Sequence, residues 1–100
     1  MLDVHKTIID KVVEMKSKDS KVVAILLFGS VARGTATKNS DIDIEIIYDD
    51  GNYDDYCEFI DGIKVDYKIW PKNKFSNRIK KYPFCHIHML KKKYYMTQQE

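Results

Sequence analysis

Hydrophobic positions change period several times along this chain, and each change marks an element. Val4, Ile8, Ile9, Val12, Val13 and Met15 recur at three- and four-residue spacing. That pattern predicts an amphipathic helix with Asp3 as N-cap and an end near residues 17–20. Val22 to Phe28 is apolar without a break, which predicts a central strand buried on both faces. A short helix is expected to begin at Ser30 and stop by Gly34, followed by a polar loop over residues 35–40. From Asp41 to Tyr48 the period becomes two: Ile42, Ile44, Ile46 and Tyr48 face one way, Asp41, Asp43 and Glu45 the other.

Two further apolar runs, Tyr56 to Ile60 and Ile63 to Trp70, flank Asp61-Gly62, the dipeptide of a type I′ hairpin. In the second run Ile63, Val65, Tyr67 and Ile69 share a face, and Lys64, Asp66 and Lys68 share the opposite one. Pro71 suits the first position of a helix carrying Phe75, Ile79 and Tyr82 and closed before Pro83. Residues 84–96 are expected to form a strand, a turn at Lys91 to Lys93 and a second short strand.

One hundred residues make a single domain, 1–100, with one core. The longest apolar run is seven residues, far too short to span a membrane, and Asp3, His5 and Lys6 exclude a signal peptide. Cys57 and Cys85 form no disulfide framework, which points to reduced thiols and a cytoplasmic protein. The net charge of +2 hides three blocks. Residues 1–40 carry seven Lys/Arg and four Asp/Glu; residues 41–66 carry ten acids against Lys64 alone; residues 67–100 carry nine Lys/Arg against Glu100. An acidic middle of this kind suits cation binding.

The chemistry lies where Gly29-Ser30-Val31-Ala32-Arg33-Gly34 is followed by Ser40-Asp41-Ile42-Asp43-Ile44. The twelve residues between Phe28 and Asp41 are mostly loop, too little for a parallel crossover with a full helix. An antiparallel pair follows, and it sets Gly29-Ser30 beside Asp41 and Asp43. Gly29 lets the backbone turn sharply and approach a ligand; the N–H groups of the helix starting at Ser30, and the Ser30 hydroxyl, are phosphate donors. Arg33 offers a forked donor for phosphate oxygens if it faces the site. Two carboxylates about 5 Å apart repel by roughly 3 kcal/mol at an effective dielectric near 20, so Asp41 and Asp43 call for a divalent cation. An oxygen-only site suits Mg2+. Asp66, the one acid inside its strand, has the right parity for a third ligand and for a general base toward a hydroxyl.

GSVARGTATKNSDIDI resembles the signature of the polymerase-beta-like nucleotidyltransferase superfamily in its minimal bacterial and archaeal form. Gly29, Ser30, Asp41, Asp43 and Asp66 fill its places. The resemblance implies an α+β fold, an α/β sandwich with a mixed, largely antiparallel sheet and helices on one face. It also implies two Mg2+ ions, with Asp41 and Asp43 binding both and Asp66 one. The fuller GSxARG…SDxD form is similar to antitoxin partners of HEPN-type RNase toxins, which transfer AMP from ATP to a toxin tyrosine. Transfer of a nucleoside monophosphate to a hydroxyl is therefore the expected activity, with a HEPN-type protein as expected partner.

Two rival readings use the same residues: a non-catalytic antitoxin acting by occlusion, and the catalytic domain of a longer antibiotic-modifying enzyme. His86-x-His88 beside Cys85 lacks a second ligand pair at zinc spacing. Lys91-Lys92-Lys93 with Tyr94 and Tyr95 has the charge and stacking groups of an RNA contact, but three lysines in a turn read as solvated surface.

Overall fold

The computed structural model describes residues 1–79 and 88–92. In chain order the elements are α1 (Asp3–Ser17), β1 (Val22–Phe28), α2 (Gly29–Arg33), β2 (Ile42–Tyr48), β3 (Asp54–Ile60), β4 (Ile63–Pro71), α3 (Lys72–Ile79) and β5 (His88–Lys92). The strands form one five-stranded sheet in the order β3-β4-β2-β1-β5. β1 pairs antiparallel with β2 and β5, β3 pairs antiparallel with β4, and β2 pairs parallel with β4. The sheet is thus mixed and largely antiparallel, as expected for this α+β fold.

The apolar pattern explains which surfaces meet. Ile8, Ile9 and Val12 of α1 and Val31 and Ala32 of α2 pack on Ile25, Leu27, Ile42, Ile44, Ile46, Val65 and Tyr67. On the other side Val23, Ala24, Leu26 and Ile47 cluster with Phe75 of α3, flanked by Phe28 and Trp70. β1 is therefore buried on both faces, which is why it has no polar residue. A register shift between Val22 and Ala24 lets adjacent Val23 and Ala24 belong to the same cluster.

Two helices thus occupy the expected face, and α3 stands on the opposite one. Among the described residues it covers only part of that face and leaves the end bearing Asp43 and Asp66 uncovered. At the border Glu45 is buried, 3% exposed, and accepts a hydrogen bond from Trp70 Nε1–H at 2.7 Å. Trp70→Phe removes that donor from a buried carboxylate and is expected to lower stability by about 1–3 kcal/mol, read as a lower midpoint in urea.

Several local expectations are corrected. Leu2, not Asp3, is the N-cap of α1; it makes no side-chain cap bond, and Asp3 is the first helical residue, where its charge favours the helix dipole. Met15 is exposed at the C-terminal end of α1. α2 starts at Gly29, one residue early, and β2 starts at Ile42, leaving Asp41 just ahead of it. Pro71 ends β4 opposite Tyr48 rather than opening α3, because a strand terminus tolerates a missing N–H. Lys91 and Lys92 lie in β5 opposite Ile25 and Ala24, not in a turn, since pairing along the buried β1 overrides local turn chemistry. The expectations for Tyr82 to Ile87 and for Lys93 to Met96 lie outside the described residues.

Candidate active site

The carboxylates are positioned by register. Phe28, the last residue of β1, is the partner of Asp43; Asp43 is the parallel partner of Asp66; Asp66 is the antiparallel partner of Cys57. One row of the sheet therefore carries Asp43 and Asp66 side by side, one strand spacing (about 4.8 Å) apart. Glu45 and Lys68 form the next partnered pair on the same face, and Lys68 is also the partner of Asp55. Asp66 is not aimed into the interior: its side chain is 35% exposed, and Lys64 Nζ lies 3.7 Å from its Oδ1.

Gly29 closes the row from the other side. Its φ is +76°, and a Cβ there would lie 2.2 Å from Asp43 Oδ2. No residue with a side chain fits that turn with Asp43 where it stands. The glycine also brings the first N–H groups of α2 next to the carboxylate row, with Ser30 following. At five residues α2 has little macrodipole, so its local N–H donors matter more than its length. Its C-terminus is closed by Gly34 in the left-handed conformation, and Gly34 N–H donates to Val31 O.

The electrostatics match this crowding. Asp43 is half-buried, and burial, then Asp66, then Asp41 push its carboxyl above the usual carboxylate range, with Lys68 opposing them. Tyr67 is also pushed up, by burial and by the hydrogen bond its hydroxyl donates to Glu58.

A hollow of about 380 Å³ opens beside the row, lined by Asp43 and Asp66 with Asp55, Tyr56, Cys57, Tyr67 and Lys68. Of the six residues expected at the site, Asp43 and Asp66 line this hollow and Gly29 abuts Asp43. Asp41 acts on Asp43 through its charge, and Ser30 follows Gly29. Arg33 is exposed at the end of α2 and is not among the lining residues. Among the described residues, no three His, Cys, Asp or Glu side chains converge closely enough to hold a metal ion as they stand. The donor set nevertheless fits a hard cation: oxygen ligands only, in register, at the cost of mutual repulsion.

The alternation along β4 places Lys68 on this face without giving it a role, and Cys57 and Asp55 join the site only through the pairing of β3 with β4. That pairing is within reach of the sequence. A two-residue turn at Asp61-Gly62 fixes the count back from Ile60–Ile63, and three steps along it Cys57 meets Asp66.

The glycine-serine turn and the acids of two neighbouring strands thus lie at one end of the sheet. The chain belongs to the nucleotidyltransferase family: residues 6–94 match the family described as Nucleotidyltransferase domain. It is similar to a Methanocaldococcus jannaschii protein provisionally named a protein adenylyltransferase, 47% identical over 49 residues, which is 49% of this chain and 49% of that relative. The match thus spans about half the length of the curated relative. No helix among the described residues is long and apolar enough to cross a membrane.

Proposed function

We propose that this chain transfers a nucleoside monophosphate, AMP from ATP, onto a hydroxyl group of a protein. The observation that carries the reading is the register Asp43–Asp66, with Gly29 backed against Asp43. The provisional name of the archaeal relative supports a protein acceptor and adenylyl as the group moved.

In this reading Gly29 and Ser30 bind the phosphate chain through backbone N–H and hydroxyl donors, and the exposed Arg33, which stands outside the hollow, would have to swing in to add a fork. Asp41, Asp43 and Asp66 would hold Mg2+, two ions by family resemblance, which supplies charge neutralisation at the phosphates when bound. The acceptor oxygen attacks the α-phosphorus, its bond to the bridging oxygen of the β-phosphate breaks, and pyrophosphate leaves. The hydroxyl proton passes to the Asp66 carboxylate. Residues 1–100 act as one domain, Cys57 stays reduced in a cytoplasmic setting, and a HEPN-type protein is the partner that the motif resemblance favours.

The test is incubation with ATP labelled at the α-phosphate, Mg2+ and a panel of candidate acceptor proteins. Label should appear on a protein, and Asp66→Asn should cut kcat at least a hundredfold while ATP still binds. ATP binding without transfer to any protein, small molecule or RNA would leave occlusion as the function.

A further inference from the structure

We propose that β3 is the docking strand for the acceptor, which is an extended, lysine- or arginine-rich segment of a partner protein that adds to the sheet edge. The inference rests on the nucleotidyl-transfer reading, because it names which acceptor that site takes.

β3 ends the sheet, and among the described residues it is paired on one side only, to β4. Free edges of this length are normally blunted by charged side chains, lysine above all, or by proline, a bulge or a covering segment. Asp54–Ile60 contains no proline or lysine, and its seven residues pair with β4 without a register shift. It also exposes large apolar groups, Tyr56 and, 71% exposed, Phe59. By register Phe59 and Cys57 stand on the same face as Asp66. The charges this edge does carry, Asp54, Asp55 and Glu58, are all acidic, so it is guarded against another acidic strand and open to a basic one.

Charge selects the occupant. Residues 49–61 contain six acids and no lysine or arginine. Asp49, Asp50 and Asp61 are paired with Lys72, Lys21 and Lys11. Asp54 and Asp55 have no cation within 4 Å among the described residues; their side chains accept only from the Asp55 N–H and the Tyr53 hydroxyl. A second copy pairing edge to edge would set acids against acids, and a nucleic acid would be repelled. A basic strand meets both the open backbone groups and the acids.

The same geometry delivers the hydroxyl. A residue added opposite Cys57 on the carboxylate face lies two strand spacings, about 10 Å, from Asp66. A long hydroxyl side chain and the Asp66 carboxylate cover that span between them. The hollow over Cys57 and Asp55 leaves room for it.

The test uses the full chain, labelled for amide NMR, with three probes: the peptide Lys-Thr-Lys-Tyr-Lys-Val-Lys, its counterpart with glutamate for lysine, and oligouridylate. The basic peptide should slow exchange of the outward β3 amides at least tenfold and lose affinity as salt rises. Asp54→Lys with Asp55→Lys, and separately Phe59→Ser, should each weaken it at least tenfold, with amide spectra outside β3 unchanged. Equal binding of the acidic peptide, binding of the RNA, protection away from β3, no protection at millimolar peptide, self-association through β3, or indifference to the variants would each overturn the proposal. Labelled ATP separates the two levels. The basic peptide docked on β3 while no protein, small molecule or RNA takes label sinks nucleotidyl transfer and leaves the docking strand; label on a protein acceptor with β3 unprotected does the reverse.

Discussion

Asp43→Asn should abolish adenylyl transfer, by at least about a thousandfold, while the fold survives with equal or higher stability at pH 7. The two halves of that result have one cause. Asp43 stands between the charges of Asp41 and Asp66 and is half-buried, so its charged form is disfavoured. An acid whose folded-state pKa lies above its unfolded value binds more protons in the folded state across that window. Stability therefore falls as pH rises through the folded value, and the ionised Asp43 is a net cost at neutral pH. Asparagine keeps the shape and removes the cost. The advantage of the variant should shrink as pH drops toward 3, where the parent carboxyl is protonated in both states. Thermal melts from pH 3 to 8, with and without millimolar Mg2+, check this, since Mg2+ should raise the melting temperature of the parent and not of the variant. A variant that melts well below the parent at pH 7, or that keeps full transfer, would remove Asp43 from the centre of the site.

That role was legible early because Ile42, Ile44 and Ile46 alternate with Asp41, Asp43 and Glu45, and burial of the isoleucines leaves the acids only one face to occupy. The antiparallel β1–β2 pair was legible from loop length, and the hairpin from Asp61-Gly62, whose φ values of 51° and 82° are both positive, as a type I′ turn needs. The parallel register of β2 with β4 was not. It depends on β3 making an outward excursion before the chain returns, and nothing in residues 49–54 encodes how far β4 slides against β2. Asp66 could be chosen by parity, but its exact neighbour could not. The opposite placement of α3 escaped for a related reason: Phe75 has a helical period on either side of a sheet, and only the apolar patch of Leu26, Ile47 and Trp70 decides which side it covers. Lys91 and Lys92 read as a turn by composition and became strand because β1 offered its unpaired side.

Gly29→Ala should be the second most damaging change, and a comparison with Gly62→Ala shows why. Both glycines have positive φ, +76° and +82°, so alanine costs each about 1–2 kcal/mol of backbone strain. In a domain of this size that lowers the melting temperature by several degrees, roughly 4–8 °C per kcal/mol. The difference lies in what the new methyl meets. At Gly62 nothing stands within 4 Å, whereas at Gly29 the methyl would sit 2.2 Å from Asp43 Oδ2 and 3.2 Å from its Cγ. The Asp43 carboxylate is the end of a short side chain and can rotate away, so the clash need not unfold the protein. Rotation, however, takes the carboxylate out of its row with Asp66, and a misplacement of about 1 Å at a reacting centre can cost a hundredfold in rate. Gly29→Ala is therefore expected to lose at least a hundredfold in transfer for a stability loss like that of Gly62→Ala, which should keep its activity. Matching activities in the two variants would mean that the approach of Gly29 to Asp43 serves folding alone.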